Sequence, residues 1–206
     1  VSYEKNIQAI LKCLPKVLAE NSKVKLVIVG DGPYLDDLKE QVQQFGIEDA
    51  VIFTGMVSHD QVAVYYKACD FFISASTSET QGSTYIEALA SGRPIIAQSN
   101  PYLDDVVTDR MFGTLYQREE DLADAIIDAI IETPELTADA YEEKLYEISA
   151  ERFGKSVYAF YLDVLITEEN RNSHKLSLTV RKNADKPRVL RLARGAVTMP
   201  KQAVSL

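Results

Sequence analysis

The stretch QGST, which ends at Thr84, places small residues where a helical pattern begins. At a helix start the N–H groups of Gly82, Ser83 and Thr84 have no acceptor within the helix, and together with the helix dipole they suit a diphosphate. Lys5, on the loop of another crossover, could neutralise the same anion. Alternatively, Ser83 is an ordinary helix cap and Lys5 is a solvated surface charge.

Two glutamates bracket this helix start, and their spacing excludes one kind of catalysis. Glu79 precedes the glycine and Glu87 follows it. Over this spacing a helix rises about 12 Å and turns a side chain by about 80°, whereas the carboxylates of a retaining glycosidase lie about 5 Å apart. Separate roles fit better, with Glu79 near one end of a ligand and Glu87 binding the vicinal diol of a ribose. Alternatively, Glu79 only interacts with the helix dipole and Glu87 is a solvated helix position.

Four loops could share one ligand, because open parallel sheets bind ligands beyond the carboxyl ends of their strands. The four loops are SYEKN, GDGP, TGMVS and SETQGST, and we expect them to meet at one edge of the sheet. In GDGP the glycines allow a ligand to approach closely, or they form a plain turn with Pro33 at the first helical position. The loop is not a dinucleotide fingerprint, so a nicotinamide cofactor is disfavoured.

Apolar runs of strand length alternate with helical patterns as far as FGTLYQ, residues 112–117. The first run predicts a buried strand from Lys25 to Val29, and the helices between the runs have signals such as a stop at Gly46 and an N-cap at Ser58. Such alternation implies right-handed crossovers and a parallel sheet covered on both faces. The sequence therefore predicts a doubly wound α/β fold.

Helices alone are predicted after this region, with a break at Thr133–Pro134 and further helices at roughly 136–152 and 154–170. We assign residues 1–170 to one domain and residues 171–206 to a tail. The chain opens on a loop and a helix where a doubly wound domain normally opens on a strand. We therefore expect Val1 to lie within a longer protein.

Charge divides the chain unevenly, although the formal net charge is −9. Residues 171–206 hold nine Lys or Arg and one acid, a net of +8, which leaves 13 basic and 30 acidic residues for 1–170. The segment RVLRLARGAVTMPKQ separates arginines from apolar residues at helical angles, as in helices that lie on an anionic membrane. Alternatively the tail is disordered or docks between domains, because Gly195 and Pro200 weaken a helix. Nucleic acid is not predicted as a partner, because no interleaved aromatic residues or binding module occur.

The two cysteines and two histidines do not form a metal site by their spacing. Cys13 and Cys69 lie among apolar residues in helical patterns, which predicts reduced core thiols in a cytosolic protein. No run approaches the roughly 18 to 20 apolar residues that a membrane span needs.

Several segments together resemble a known family. In order, EKN, LVIVGDGP, VIFTGMV, YYKACDFFISASTSETQGSTYIEALASGRPIIA and FGTLY resemble the C-terminal, donor-binding domain of glycosyltransferase family 4, over about residues 3–131. These retaining enzymes have two facing Rossmann-like domains, the GT-B fold. The resemblance implies that a first strand and an acceptor-binding N-terminal domain precede this chain in the whole enzyme. It also implies that the chain alone binds donor weakly and has little or no turnover.

The resemblance assigns roles at the diphosphate and the sugar. Lys5 and the amides of Gly82, Ser83 and Thr84 would hold the diphosphate of a nucleotide sugar, and an arginine that shares this role in the family is absent here. Glu79 would lie beside the transferred hexose as the catalytic residue.

Further donor contacts are implied at four positions. Glu87 would bind the nucleotide ribose, and the backbone near Val57 would contact the base. Gly30 and Gln81 complete the donor-binding set, and Gln81 stands where the family commonly has phenylalanine. The resemblance also implies that the reaction needs neither a metal ion nor another cofactor.

The stretch SETQGSTYIEALASG is similar to Gram-positive diacylglycerol glucosyltransferases. We predict a retaining transferase that moves glucose from UDP-glucose to a membrane lipid such as diacylglycerol, in the cytoplasm and peripherally on the inner face of the plasma membrane. One alternative is a protein or polysaccharide glycosyltransferase of the same family. Another is a non-catalytic accessory subunit, against which the retention of Lys5, Glu79 and Glu87 argues.

Overall fold

The computed structural model describes residues 1–76 and 82–184, and in the stretch 169–184 it describes the backbone only. By its internal contacts the chain divides into two units, Val1–Phe153 and Gly154–Leu206. The strands in the described part are β1 (Leu26–Ile28), β2 (Val51–Phe53), β3 (Phe72–Ser74), β4 (Ile95–Gln98) and β5 (Gly113–Tyr116). The helices there are α1 (Ile7–Glu20), α2 (Leu35–Phe45), α3 (His59–Ala68), α4 (Ser83–Ala90), α5 (Pro101–Val106), α6 (Leu122–Glu132), α7 (Ala138–Glu147) and α8 (Ala150–Ala184).

Every pairing between these strands is parallel, which confirms the predicted α/β class. Strand β1 pairs with β2, and β3, β4 and β5 pair in that order, with Leu26 opposite Val51 and Ile95 opposite Gly113. The first strand is shorter than predicted, because Val29 is 37% exposed and the chain turns at Gly30 with φ +112°. Each helix that joins two paired strands serves as a crossover connection.

The described strands form two sheets, β1–β2 and β3–β4–β5, where the sequence predicted one. Strand β4 is covered on both faces, as predicted, whereas Ile52 of β2 is 49% exposed. Successive side chains of a strand point to opposite faces, and in β4 Ile96 belongs to one buried cluster while Ile95 and Ala97 belong to another. The first cluster contains the apolar stripes of α1 and α6, whose fully buried members include Leu11 and Leu122. The second cluster contains residues from α4, α5 and the segment before β5.

Local signals in the first unit correctly marked several helix ends. Ser58 is the N-cap of α3, Gly46 closes α2 with φ +65°, and α6 ends before Thr133. The plain turn considered for GDGP is present, but Pro33 is not the first helical residue, because α2 begins at Leu35 and Pro33 lies in the preceding turn. The Leu35 N–H donates to the Gly32 carbonyl and so closes that turn.

The C-terminal helices differ in their bounds from the prediction. The helix expected at 154–170 is α8, which begins at Ala150 and extends to Ala184. Ser149 starts it, since its hydroxyl and carbonyl accept from the N–H groups of Arg152 and Phe153. One interior glycine costs a helix only about 1 kcal/mol, so Gly154 does not interrupt it.

Helix α8 carries many exposed apolar side chains, among them Tyr158, Tyr161 and Leu165 at 67%, 62% and 61%. Among the helices of residues 1–76 and 82–184, none combines the length and the apolar character needed to span a bilayer. The first part of the basic segment, residues 171–184, is helical. The predicted amphipathic stretch, at 188–202, lies outside the described residues.

Candidate functional site

The loops after β1 and β2 meet directly, as the sequence predicted for carboxyl strand ends. The Gly30 N–H donates to the Gly55 carbonyl at 3.0 Å, and the two glycines form an isolated bridge beyond the paired strands. Val57 follows two residues later, partly buried, in the loop that leads into α3. The GDGP and TGMVS loops therefore share one edge of the sheet.

The turn that carries Lys5 lies against this edge. Its Tyr3 ring contacts the Tyr34 ring edge to face at 5.3 Å, and the Ser76 hydroxyl donates to the Glu4 carbonyl at 3.3 Å. A Cβ on Gly32 would lie 2.1 Å from the Val1 carbonyl oxygen, so only glycine fits there. We call this group the strand-end rim: residues 1–5, 30–34, 54–57 and Ser76.

Helix α4 begins at a glycine that its surroundings require. Gly82 is the N-cap with φ +60°, and a Cβ there would lie 2.7 Å from Cε1 of Tyr102. No side chain caps α4 in the described part of the chain, so the alternative of Ser83 as an ordinary N-cap is wrong. Ser83 and Thr84 are the first two helical residues, and helix geometry leaves their N–H groups without acceptors inside α4.

Glu87 occupies a partly buried position one turn into α4, so the alternative of a solvated helix position is wrong. The Tyr66 hydroxyl on α3 lies 3.3 Å from Oε2 of Glu87 and 3.4 Å from the Thr84 carbonyl oxygen. The hydroxyl can donate its proton to either of these two oxygens. The carboxylate is therefore held near the start of α4.

Aromatic contacts join α3 and α4 to β3. The Tyr66 ring packs edge to face on Phe72 at 5.5 Å, and Phe72 packs in the same way on Tyr85 at 6.0 Å. The Tyr85 hydroxyl donates to Oγ of Ser74 at 3.3 Å. The sequence analysis assigned no role to Tyr66 or Tyr102.

The structure places the described residues of the predicted site in two groups. Lys5, Gly30 and Val57 belong to the strand-end rim, while Ser83, Thr84 and Glu87 belong to α4 and Gly82 is its N-cap. Glu79 and Gln81 belong to residues 77–81, which are outside the described residues and connect Ser76 of the rim to Gly82.

Metal-ligand clusters and cavities are the other kinds of candidate site in the described part of the chain, outside the strand-end rim and α4. No group of three His, Cys, Asp or Glu residues there could hold a metal ion. A cavity of about 240 Å³ beside α7 is lined by Met111, Phe112 and Lys144 but by no residue of the strand-end rim. The Lys144 ammonium there already donates to the Val106 carbonyl at 2.9 Å and lies 4.4 Å from the Phe112 ring centre.

The cysteines are both free thiols and are partly buried. Burial raises the pKa of the Cys13 thiol to about 11 and also raises the pKa of Cys69. Both groups are therefore poor nucleophiles near neutral pH.

Comparison with known sequences identifies close relatives. The chain is 62% identical over 167 residues to the alpha-monoglucosyldiacylglycerol synthase of Streptococcus pneumoniae. The aligned region covers 81% of this chain and 38% of that protein. It is 32% identical over 180 residues to the alpha-monoglucosyldiacylglycerol synthase of Acholeplasma laidlawii, covering 85% of this chain and 44% of that protein. The chain thus spans less than half the length of these curated relatives.

Solved structures agree on the fold. A mutant of S. aureus TarM, in complex with fondaparinux, alpha-GlcNAc-glycerol and UDP, matches with a TM-score of 0.65 and 24% identity, over 77% of this chain and 32% of that one. The pneumococcal O-GlcNAc transferase GtfA, in complex with UDP and GlcNAc, matches with a TM-score of 0.62 and 24% identity. The match covers 77% of this chain and 34% of that one. These neighbours are GT-B glycosyltransferases, which confirms the Rossmann-like half predicted from the sequence.

The family model described as glycosyl transferases group 1 matches residues 1–145, well over half of the chain. This match includes the strand-end rim and all of α4. The chain belongs to the group 1 glycosyl transferases.

Proposed function

We propose that the protein to which this chain belongs transfers glucose from a nucleotide sugar to diacylglycerol with retention of anomeric configuration, and that this chain binds the donor. The observation that carries the proposal is the 62% identity to the S. pneumoniae enzyme, whose name specifies an α-linked glucosyl group on diacylglycerol. Identity at this level extends over 81% of the chain.

The donor's diphosphate would bind at the start of α4. The N–H groups of Gly82, Ser83 and Thr84 and the positive end of the helix dipole favour an anion there. Lys5 would supply the opposite charge. These groups would stabilise the negative charge that grows on the leaving diphosphate as the glycosidic bond breaks.

The nucleoside and the sugar would bind on either side of the diphosphate. Glu87 would accept hydrogen bonds from the ribose hydroxyls, while the backbone at Val57 would contact the base and Gly30 would let the donor approach closely. We propose UDP-glucose as the donor, because two related structures of this fold contain UDP.

Two residues of the proposal belong to the stretch 77–81. Glu79 would lie beside the hexose and stabilise positive charge at its anomeric carbon, and Gln81 would complete the donor contacts. The proposal needs no metal ion and no further cofactor.

The acceptor side of the reaction would involve more than this chain. We propose that an N-terminal domain of the whole protein binds the lipid, and that residues 171–206 contact the anionic inner face of the plasma membrane from the cytoplasm. Their net charge of +8 supports this contact. Nucleic acid is not part of the proposal.

Calorimetric titration of the chain with UDP and with GDP tests the donor site. We expect UDP to bind more tightly than GDP. Glu87→Ala should lower the affinity for UDP about tenfold, because the ribose hydroxyls lose their acceptor. Glu142→Ala, which removes an exposed carboxylate on α7, serves as the matched control and should bind like the parent. Equal affinity of the parent and Glu87→Ala for UDP would contradict the ribose assignment.

The whole reaction is tested with the full-length protein, UDP-glucose and vesicles containing diacylglycerol. We expect an α-linked glucosyl lipid, identified by its anomeric coupling constant in NMR. A β-linked product would contradict retention, and transfer only to a polysaccharide or a protein would contradict the lipid acceptor.

A further inference from the structure

We propose that Tyr66 is a positioning residue that orients the Glu87 carboxylate toward the donor ribose and thereby sets the preference for ribose over deoxyribose. The inference rests on the proposed function, in which Glu87 binds the ribose. Tyr66 lies on α3, and the sequence analysis assigned it no role.

The hydroxyl of Tyr66 contacts α4 at two points one turn apart. It lies 3.3 Å from Oε2 of Glu87 and 3.4 Å from the Thr84 carbonyl oxygen. Its single proton is directed to one acceptor at a time, and both acceptors belong to the first turns of the helix that would bind the donor. Contact with one carboxylate oxygen restricts the rotation of the whole carboxylate.

The ring of Tyr66 is itself held in place. It packs against Phe72 of β3, which packs against Tyr85, and Tyr85 is only 2% exposed. Because edge-to-face ring pairs have a preferred geometry, the hydroxyl is presented to α4 from a fixed direction. A side chain whose conformation is set by packing can in turn set the orientation of a neighbour.

An oriented carboxylate discriminates between sugars. A carboxylate aimed at two vicinal hydroxyls loses a partner when one hydroxyl is missing, and a site built for a hydroxyl rejects an analogue that lacks it. Without the Tyr66 hydroxyl the carboxylate can rotate toward the remaining hydroxyl or toward water. The penalty for 2′-deoxy-UDP should therefore shrink.

The test compares Tyr66→Phe with Tyr65→Phe in calorimetric titrations of the chain with UDP and 2′-deoxy-UDP. Both variants remove one hydroxyl from adjacent tyrosines of α3, and Tyr66→Phe keeps the ring against Phe72. We expect Tyr66→Phe to lower the affinity for UDP by roughly threefold to tenfold. It should also lower the ratio of the affinity for UDP to the affinity for 2′-deoxy-UDP. Tyr65→Phe should change neither quantity.

A double-mutant cycle separates positioning from general support of the fold. In the Glu87→Ala background Tyr66→Phe should have no further effect on UDP affinity, because the carboxylate through which Tyr66 would act on the ribose has been removed. Equal weakening of both nucleotides by Tyr66→Phe, or an undiminished effect in that background, would overturn the inference. So would a Tyr66→Phe protein that matches Tyr65→Phe in both titrations.

Two further results keep the outcomes distinct. Glu87→Asp withdraws the carboxylate from the Tyr66 hydroxyl by one methylene and should also lower the ratio, even if Tyr66→Phe folds poorly. If Glu87→Ala binds UDP like the parent, the proposed ribose contact fails. If Glu87→Ala weakens UDP while Glu87→Asp and Tyr66→Phe keep the parent ratio, only the role of Tyr66 fails.

Discussion

The two faces of β4 are packed in different ways. On the face of Ile96, the neighbouring cluster consists mainly of aliphatic side chains from α1, α2 and α6. On the face of Ile95 and Ala97, the cluster includes Tyr85, and polar contacts surround it. The aliphatic face gives the domain a core, while the second face supports the helix that carries the candidate site.

Helix α7 shows how the second face combines apolar and polar contacts. The Tyr141 hydroxyl donates to the Ala90 carbonyl at the end of α4 at 2.7 Å, and the Lys144 ammonium donates to the Val106 carbonyl at the end of α5. Cations near helix C-termini are favourable because the last carbonyls lack helical donors. Helix α4 is therefore held near its C-terminus by α7 and along its first turns by α3.

The largest expected effect is on the aliphatic face. Leu11 is fully buried, so Leu11→Ala should lower the free energy of unfolding by about 2–5 kcal/mol through lost burial and a residual cavity. Urea denaturation followed by circular dichroism measures this change. Ile131→Ala, at a position 73% exposed, should stay within about 0.5 kcal/mol, and a similar loss in both variants would contradict the assignment of the core.

On the second face, Lys144→Met should lower the free energy of unfolding by less than Leu11→Ala does. The lysine side chain is 4% exposed, and its ammonium contacts Val106 and Glu147. Methionine keeps the apolar stem but removes charge-assisted hydrogen bonds, for a loss of about 1.5–3 kcal/mol by the same denaturation. The exposed Lys12→Met on α1 should be nearly neutral. A stable Lys144→Met protein would mean that α7 is held by apolar contacts alone.

Gly82→Ala separates donor binding from stability. Alanine at φ +60° should cost about 1–2 kcal/mol of stability, and its methyl group would displace Tyr102 or the start of α4. We therefore expect UDP affinity to fall about tenfold.

Gly46→Ala is the matched control, because Gly46 has φ +65° and open space around its Cβ position. It should lose similar stability and bind UDP like the parent. Equal UDP affinity in the two variants would contradict a donor site at the start of α4.

The smallest expected effect at neutral pH is that of Cys13, whose titration changes stability only in alkaline solution. Burial raises its pKa in the folded protein to about 11, so the folded state retains the proton longer than the unfolded state, whose thiol titrates near its ordinary pKa. This contribution to stability is complete below the unfolded pKa and is lost as the pH rises toward 11.

Denaturation at a series of pH values between 8 and 11 measures this loss. In Cys13→Ala the free energy of unfolding should fall less steeply with pH. Cys69→Ala should reduce this slope less, because the rise in pKa at Cys69 is smaller. An unchanged slope in Cys13→Ala would contradict the role of burial.

Local patterns were sufficient for most of the fold and for the start of the site. The alternation of apolar runs with helical periods predicted the parallel sheet, because period and burial are properties of consecutive residues. The same logic located α4 and its glycine start. It failed at the bounds of α8, because one glycine does not stop a helix whose N-terminal turn is capped by Ser149.

The sequence by itself determined which residue types stand at each strand end and helix start. Only the tertiary structure decided which of them meet: Tyr66 with Glu87, Gly82 with Tyr102, and the Lys5 turn with Ser76. Each of these pairs spans a crossover or a longer loop, and its contact depends on how helices pack on the sheet. Sequence periodicity records which face of an element is buried, but it carries no information about which partner lies there.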